Sequence, residues 1–342
     1  MKLDVMLGPR TWGQTADLAR DLERHGFSGM VFTETSQAPW MNIAAASLAA
    51  PTLELATGIS VAFARSPMVS AGLAWELAEN TQGRFRLGLG SQVRAHIERR
   101  FGMPYTPAAA RMRDYLGAFQ ACIQAFRGEK LDYQGRFYQL NMQLSKGWAP
   151  PRHDHEDIRV DISAVGPMMT RLAGELCDGI HVHPLHSMHY IRERLLPSVA
   201  AGAAKVGRDP SEVDLIIPVF AIAGDSPEER APMLAAVKAQ IAFYGSTRNY
   251  AFQFEDLGFT GVSEKLNERL KAGDPDGMAE LITDEMIEHY ALIAPWDEMG
   301  DALQARYRGT AARVVLYLAA EGFEQKPEML ARWGEIARAV KD

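Results

Sequence analysis

The sequence predicts a (β/α)8 barrel, in which eight parallel strands alternate with helices, and we expect it to form one domain over residues 1–342. Short aliphatic runs alternate with helical stretches along most of the chain, as βαβ units require. A chain of 342 residues suits such a barrel, which often exceeds the length of an average domain. The alternative is a doubly wound sheet. That fold would carry a glycine-rich loop after its first strand, and Gly8-Pro9-Arg10-Thr11 is not such a loop.

The first half of the chain contains four predicted strands, at residues 2–8, 29–34, 53–62 and 85–91. Helices are predicted between them at residues 14–25, 39–50 and 67–82. Gly26 follows the first helix, where glycine commonly ends helical structure. Pro39 and Pro67 open the next two helices, a position at which the missing N–H of proline costs nothing.

An insertion after the fourth strand interrupts the alternation over about residues 92–158. It contains a predicted helix at residues 108–126 and a small hairpin that turns at Gln134-Gly135. The alternation then resumes. The remaining strands are predicted at residues 159–165, 179–185, 213–224 and 313–319. Helices are predicted at residues 167–177, in a segment that ends at about residue 206, over most of residues 225–308, and at residues 327–341.

Composition and charge exclude several classes of protein. The 36 basic and 43 acidic side chains give a net charge of −7, which disfavours a general nucleic-acid binder. Cys122 and Cys177 are too few for a disulfide framework. The N-terminal segment lacks the apolar stretch of a signal peptide, and no apolar run reaches the ~18 residues of a membrane span. We therefore expect a cytoplasmic protein with no membrane or nucleic-acid partner.

In a barrel of this kind, binding and catalytic residues follow the C-terminal ends of the strands. The residues Gly166, Pro167 and Met168 follow the fifth strand and open a helix, whose free N–H groups and dipole favour binding of a phosphate. The alternative is an ordinary tight turn between strand and helix, which favours the same residues. Gly90 and Ser91 end the fourth strand, and we interpret them as a close approach of the backbone to a flat ligand. The neighbouring Leu-Gly-Leu-Gly run lacks the third glycine of a dinucleotide fingerprint.

Two side chains at strand ends are candidates for proton chemistry. Glu34 ends the second strand, where it is either a general acid or base or an exposed loop carboxylate. His183 belongs to a cluster with His181, His186 and His189, which raises the alternative of a metal site. A catalytic metal would gather ligands from several strands, and the first and eighth strands end without any. We expect no metal, and we assign His183 to the substrate or the cofactor.

Several segments together resemble the luciferase-like flavin and deazaflavin oxidoreductases over nearly the whole chain. The resemblance is carried by LATGISVAFARSP, GRFRLGLGSQVRAHIERRFGMP, ARMRDYLGAFQA, GRFYQL and VDISAVGPMMTRLAGELCDGIHVHP. These segments occur in order and in the register of a barrel. GLGSQVRAHIERRFGMP and IAFYGSTRNY look most like the branch that uses coenzyme F420.

The resemblance implies a homodimeric (β/α)8 barrel that binds F420 or flavin mononucleotide (FMN) at its mouth, under the insertion. It implies that Gly166, Pro167 and Met168 receive the phosphate. Deazaflavin members often carry a non-prolyl cis peptide in a bulge at the third strand, which corresponds here to Ser60-Val61. A sugar-phosphate dehydrogenase of the family has Asp-His after the second strand and a nearby Trp. This chain has Glu34-Thr35 and retains Trp40, so we expect neither a strand-two histidine relay nor a sugar phosphate.

The sequence therefore predicts an F420-dependent oxidoreductase that moves a hydride between the deazaflavin and a small, largely apolar substrate. The predicted cofactor-binding residues are Ser60, Val61, Gly90, Ser91, Gly166, Pro167 and Met168. Glu34, Trp40 and His183 are predicted on the substrate side, with Glu34 or His183 relaying a proton. The alternatives are an FMN-dependent monooxygenase using reduced flavin and oxygen, a metal-dependent barrel hydrolase, and a flavin-binding relative without activity.

Overall fold

Parallel strands close into a barrel at the centre of the protein. The structure is a computed structural model that describes residues 1–341. Within this range the strands are β1 Lys2–Leu7, β2 Gly29–Phe32, β3 Glu54–Thr57, β4 Ser60–Val61, β5 Phe85–Gly90, β6 Tyr133–Gln134, β7 Gln139–Leu140, β8 Arg159–Ser163, β9 Gly179–His181, β10 Asp214–Ala223, β11 Ala291–Ala294 and β12 Arg313–Leu316.

Helices surround the barrel and connect its strands. Within the same range they are α1 Trp12–His25, α2 Trp40–Ala49, α3 Pro67–Asn80, α4 Arg94–Arg99, α5 Ala108–Phe126, α6 Pro167–Leu176, α7 Met188–Tyr190, α8 Leu196–Ala204, α9 Pro227–Gly245, α10 Phe252–Glu255, α11 Val262–Ala272, α12 Pro275–Glu280, α13 Asp284–Tyr290, α14 Met299–Tyr307, α15 Ala320–Gln325 and α16 Pro327–Ala339. A π-helical turn at Ile191–Leu195 joins α7 to α8. No helix in residues 1–341 is both long and apolar enough to cross a bilayer.

The ring of the barrel runs β1, β2, β3, β5, β8, β9, β10 and β12, and every pairing in it is parallel. The pairing of β9 with β10 closes this ring. The structure therefore confirms the predicted (β/α)8 barrel. The upper half of β10 leaves the ring and pairs with β11 through Phe220 to Ala223.

The third predicted strand is divided in two, and the position of its cis peptide was predicted wrongly. The non-prolyl cis bond joins Gly58 to Ile59, not Ser60 to Val61. Gly58 lies where the backbone passes directly over Val31: a Cβ on Gly58 would lie 2.2 Å from Val31 Cγ1. Ser60 and Val61 are part of the sheet again, because they form β4, which pairs with β5.

Three elements differ from the sequence prediction, one of them the short helix α15 (Ala320–Gln325) after the last strand. A helix, α4, begins the insertion, and β11 occupies a stretch predicted as helical. Ala291–Ala294 is a four-residue apolar run directly after α13. A run of that length has no periodicity that separates a buried strand from the end of a helix.

The lower part of the barrel is filled by buried ion pairs. Arg313 of β12 donates to both carboxylate oxygens of Asp4 on β1, at 2.5 and 2.7 Å, and also pairs with Glu54 on β3. Arg86 of β5 likewise donates to Asp161 (2.8 Å) and to Asp214 (2.8 Å). These pairs join strands that are distant in sequence, and they occupy the end of the barrel where conserved residues usually serve stability.

An apolar layer lies above these ion pairs. Met6, Val31, Ile216 and Val315 point inward from four strands and contact one another. Inward positions alternate along each strand, so the next inward residues lie beyond this layer, at the C-terminal end of the barrel. The apolar layer is therefore the floor of the barrel mouth.

Hydrogen bonds hold the insertion together and also fix it to the barrel. The carboxylate of Asp114 on α5 accepts hydrogen bonds from the Tyr133 hydroxyl (2.7 Å) and from the Tyr138 N–H (3.0 Å), which fixes the β6–β7 hairpin. The indole of Trp75 on α3 donates to the Pro151 carbonyl at 2.9 Å, which fixes the return segment. The hairpin predicted at Gln134-Gly135 is confirmed.

Candidate functional site

Glu34 follows β2 at the barrel mouth and is surrounded by hydrogen-bond donors. Its carboxylate accepts from the Val61 N–H (2.7 Å), from the Ser60 hydroxyl (3.3 Å) and from the Arg65 guanidinium (2.8 Å), which binds both carboxylate oxygens. The side chain is almost fully buried. These donors occupy both oxygens of the carboxylate, so the arrangement favours a positioning role for Glu34 over proton transfer.

Trp40 lies on the same wall as Glu34. The Arg65 guanidinium lies 5.7 Å from the centroid of the indole, and the Phe85 ring packs against it at 6.5 Å. Trp40 is 5% exposed, and its Nε1 has no hydrogen-bond partner. Trp40 thus supports Arg65 from below, and Arg65 in turn holds Glu34.

Three residues predicted to contact the cofactor are buried in the barrel wall. Ser60 and Val61 are 0% exposed, and both donate to Glu34. A Cβ on Gly90 would lie 2.4 Å from Ile59 Cδ1 and 2.9 Å from Ser163 Oγ, so close packing already accounts for this glycine. Ser91, the next residue, is partly exposed at the mouth.

The turn after β8 is open to solvent. Gly166, Pro167 and Met168 are exposed, and no side chain caps the N-terminus of α6. A Cβ on Gly166 would meet no atom within 4 Å. Free N–H groups at the start of a ten-residue helix, with open space in front of them, suit a phosphate group.

The opposite wall of the mouth is aromatic. We call it the aromatic wall and define it by four residues: His183, Tyr244, Tyr250 and Tyr317. The His183 ring lies 4.6 Å from the Tyr244 ring and 4.3 Å from the Tyr250 ring. All four side chains are partly exposed. The mouth therefore places an arginine-bound carboxylate on one side and a group of rings on the other.

His183 is neutral. Burial lowers its pKa to about 3, the neighbouring His186 lowers it further, and the Leu185 N–H lies beside Nδ1. Nδ1 accepts that N–H at 3.1 Å, so the single ring hydrogen lies on Nε2. At neutral pH, His183 is therefore a hydrogen-bond donor and not a free base.

Tyr244 and Tyr317 are joined by a hydrogen bond between their hydroxyls, at 2.6 Å. Tyr244 lies at the end of α9, and Tyr317 directly follows β12. Burial raises the pKa of both phenols, so both are protonated at neutral pH. Neither tyrosine was among the predicted site residues, although Tyr244 lies in the IAFYGSTRNY segment that carries part of the family resemblance.

The two predicted proton carriers, Glu34 and His183, lie on different walls of the mouth. Glu34, Ser60, Val61 and Trp40 meet around Arg65. His183 does not join them, because it follows β9, and β9 faces β2 across the eight-stranded ring. A direct relay between Glu34 and His183 is therefore disfavoured by the topology.

The other histidines lie outside the mouth or below it. His181 is buried beneath Gly58, with Nε2 at 3.6 Å from Asp161. The ring of His153 packs on Trp75 in the return of the insertion. Among the described side chains, those of residues 1–323 and 326–341, no three His, Cys, Asp or Glu are placed to hold a metal ion together.

We expect the buried histidines to make stability dependent on pH. Burial lowers the pKa of His186 to about 4, while in the unfolded chain it titrates near 6.5. Between these values the unfolded state binds more protons, so the free energy of unfolding falls as the pH drops below about 6.5, by at most about 1.4 kcal/mol per pH unit for each such histidine. Urea unfolding from pH 7.5 to 5 measures this slope.

His186→Gln should make this slope shallower, whereas His189→Gln, which replaces an exposed histidine, should leave it unchanged. Equal slopes in the wild type and in His186→Gln would contradict the assignment of a buried neutral imidazole at this position.

Comparison with known proteins adds a family match and related sequences. A family model described as luciferase-like monooxygenase matches residues 2–313. An uncharacterized protein of Mycobacterium tuberculosis is 38% identical over 94% of this chain and 94% of that protein. The 5,10-methylenetetrahydromethanopterin reductase of Archaeoglobus fulgidus is 25% identical over 77% of this chain and 76% of that enzyme.

Solved structures share the fold. The coenzyme F420-dependent tetrahydromethanopterin reductase of Methanopyrus kandleri superposes with a TM-score of 0.79, at 20% identity, over 98% of this chain and 97% of the other. A long-chain alkane monooxygenase superposes with a TM-score of 0.72, at 11% identity, over 100% and 91% of the two chains. At these identities the likeness concerns the fold.

Proposed function

The chain belongs to the luciferase-like monooxygenase family, and on that premise we propose that it is a coenzyme F420-dependent oxidoreductase. It transfers a hydride between the deazaflavin and a small, largely apolar organic substrate. In this reaction the bound cofactor supplies the hydride chemistry, and the protein supplies binding, orientation and electrostatics.

The observation that carries this proposal is the protonation chemistry of the mouth. Glu34 is already bound by Arg65 and the Val61 N–H, and His183 is neutral with its hydrogen on Nε2. The mouth therefore presents hydrogen-bond donors and aromatic rings, and its two candidate proton carriers are not free bases. Such a site suits a reaction in which the protein aligns two partners for hydride transfer.

The open turn at Gly166, Pro167 and Met168 fits the phosphate of such a cofactor. Its helix N-terminus is uncapped and the space before it is clear. Ser91 and Gly90 lie at the end of a neighbouring strand, while Ser60 and Val61 act through Glu34. The aromatic wall supplies the apolar surface for the substrate. Trp40 acts through Arg65.

Fluorescence quenching by the purified protein tests the proposal, with F420 and FMN titrated separately. We expect saturable binding of F420 and much weaker binding of FMN. Preference for FMN would support the alternative, a monooxygenase that uses reduced flavin and oxygen. Binding of neither would contradict the proposal, and stoichiometric zinc or manganese in the purified protein would favour the third possibility, a metal-dependent hydrolase.

Gly166→Asp tests the phosphate site without damaging the fold. Gly166 has an ordinary extended backbone (φ −83°, ψ 158°), and aspartate is a favoured helix N-cap. The new carboxylate should occupy the free N–H groups and repel the phosphate, so we expect the Kd of F420 to rise roughly tenfold or more, since such contacts contribute about 1–2 kcal/mol. Gly166→Ala is the matched neutral control. Equal affinities in the two variants would contradict this phosphate position.

Three further features remain proposals of the same kind. We infer a single domain, a homodimer and a cytoplasmic location, on the basis of the sequence and the family resemblance. Sedimentation of the purified protein measures the oligomeric state directly, and a monomer at micromolar concentration would contradict the homodimer.

A further inference from the structure

We propose that the Tyr317 hydroxyl is a proton and hydrogen-bond donor to the substrate, and that the substrate carries a carbonyl oxygen, or the corresponding alcohol, at the reacting carbon. This inference rests on the proposed function and adds to it a substrate class and a residue that contacts the reacting atoms.

The position of Tyr317 follows from the alternation of β12. Arg313 points into the barrel toward Asp4, and Val315 belongs to the apolar floor. Tyr317 is the next inward position, and it packs against that same floor. Its N–H still donates to the Val219 carbonyl at 3.1 Å, which continues the strand pairing. The phenol therefore stands on the floor of the mouth, at its C-terminal side.

The hydrogen bond to Tyr244 leaves one hydroxyl hydrogen unused. Each of the two hydroxyl groups carries one hydrogen, and the single hydrogen bond that joins them uses only one of these. Either hydroxyl can donate in this bond, and in the proposed arrangement Tyr244 donates to Tyr317. The free hydrogen is then that of Tyr317. Because the accepting hydroxyl of such a chain is polarised, it becomes the better donor.

Neighbouring groups make Tyr317 suited to an oxygen atom of a neutral ligand. His183 contributes a second N–H donor to the aromatic wall through Nε2, and it lies against Tyr244. Neither tyrosine is ionised at neutral pH, so the wall presents donors without charge. Uncharged donors at the edge of an apolar surface favour a carbonyl oxygen over a carboxylate or a phosphate, which would remain without a counter-ion.

The reaction balances with these groups. Reduction of a ketone adds one hydride to the carbonyl carbon, which the reduced deazaflavin supplies, and the π bond of the carbonyl breaks. The oxygen takes one proton from the Tyr317 hydroxyl, and a C–H and an O–H bond have then formed. Tyr317 is reprotonated by Tyr244, whose proton is replaced from solvent at the mouth. In the reverse direction Tyr317 accepts the alcohol proton.

Tyr317→Phe tests the proposal by binding as well as by turnover. F420 affinity of the wild type and the variant is measured first, and we expect it to be equal. Cyclohexanone is then bound to the F420-loaded proteins, and its carbonyl stretch is followed by isotope-edited infrared spectroscopy. We expect a lowered carbonyl frequency in the wild type only, and a Kd raised roughly tenfold in Tyr317→Phe, as loss of one hydrogen bond in a desolvated site predicts.

The turnover experiment compares two acceptors with reduced F420. Ketone reduction should fall about 100-fold or more in Tyr317→Phe, because the proton donor is lost. The N-methylpyrrolinium ion has no oxygen and needs no proton, so the rate of its reduction should fall less than threefold in the same variant. Tyr290→Phe is the matched control: its hydroxyl, in the same hydrophobic cluster, donates to the Gln253 carbonyl at 2.7 Å.

The outcomes separate the two proposals. If the wild type does not bind F420, the proposed function fails, and this inference fails with it. If F420 binds and cyclohexanone does not, or if Tyr317→Phe leaves the ketone Kd and carbonyl frequency unchanged, only the role of Tyr317 is overturned. Equal losses for the ketone and the iminium ion would also overturn it, since a proton donor acts on the ketone alone.

Discussion

Replacement of Arg313 by methionine is expected to lower the free energy of unfolding by about 3–5 kcal/mol, because it leaves a buried charge without its partner. Arg313 donates to both oxygens of Asp4, which is 0% exposed, and also pairs with Glu54. It thus joins the last strand of the barrel to the first and the third. Few single substitutions outside the core cost as much.

Urea unfolding followed by circular dichroism measures this loss. Arg24→Met is the control, since Arg24 forms an exposed pair with Asp21 at 2.9 Å, and pairs of this kind contribute about 0–1 kcal/mol. The double variant Asp4→Leu with Arg313→Met should recover much of the stability, because both charges are removed from the barrel together. A loss of less than about 1 kcal/mol in Arg313→Met would show that the ion pair contributes no more than a surface pair.

The barrel could be predicted because its information is local and repeated. Most strands contain a short apolar run, and some helices have their own start and stop residues, as at Thr11 and Gly26 of α1. The helix Ala108–Phe126 agrees with the prediction at both ends. In contrast, β11 exists because it pairs with the upper half of β10, and no feature within Ala291–Ala294 shows that partner.

The two walls of the mouth could be predicted only in part, since they depend on contacts between distant residues. Their positions at strand ends indicated Glu34 and His183 as site residues. The sequence did not show that Arg65 binds the Glu34 carboxylate, or that a backbone N–H fixes the tautomer of His183. From the sequence alone, Tyr317 is predicted only to lie near the end of the last strand. Its partner Tyr244 is 73 residues away, so their hydrogen bond is visible only in the folded chain.

The glycines of β5 show how packing and ligand binding can produce the same sequence pattern. At the end of this strand, Gly90 and Ser91 were predicted to approach a flat ligand closely, whereas in the structure the preceding glycine, Gly88, lies against Thr57 and His181. The Thr57 hydroxyl donates to the Gly88 carbonyl at 2.7 Å and accepts the Gly88 N–H at 2.9 Å. This side chain replaces the ladder hydrogen bonds where β3 ends before β4 begins.

Gly88→Ala is therefore expected to destabilise the protein by about 3 kcal/mol or more, whether or not cofactor is bound. Its Cβ would lie 2.1 Å from the Thr57 carbonyl oxygen, a backbone atom that cannot move without separating two strands, and 2.5 Å from His181 Nε2. Thermal unfolding with and without F420 measures the effect. Gly8→Ala is the matched control, as its Cβ would meet nothing within 4 Å.

A packing role and a role in ligand approach predict different results for Gly88 in this experiment. If the glycine serves barrel packing, the loss of stability is the same in the absence and the presence of F420, and the folded variant keeps its affinity for the cofactor. If it serves ligand approach, the unliganded protein keeps its stability and only the Kd of F420 rises. The close backbone contact with Thr57 favours the first result, because that contact is present in the protein alone.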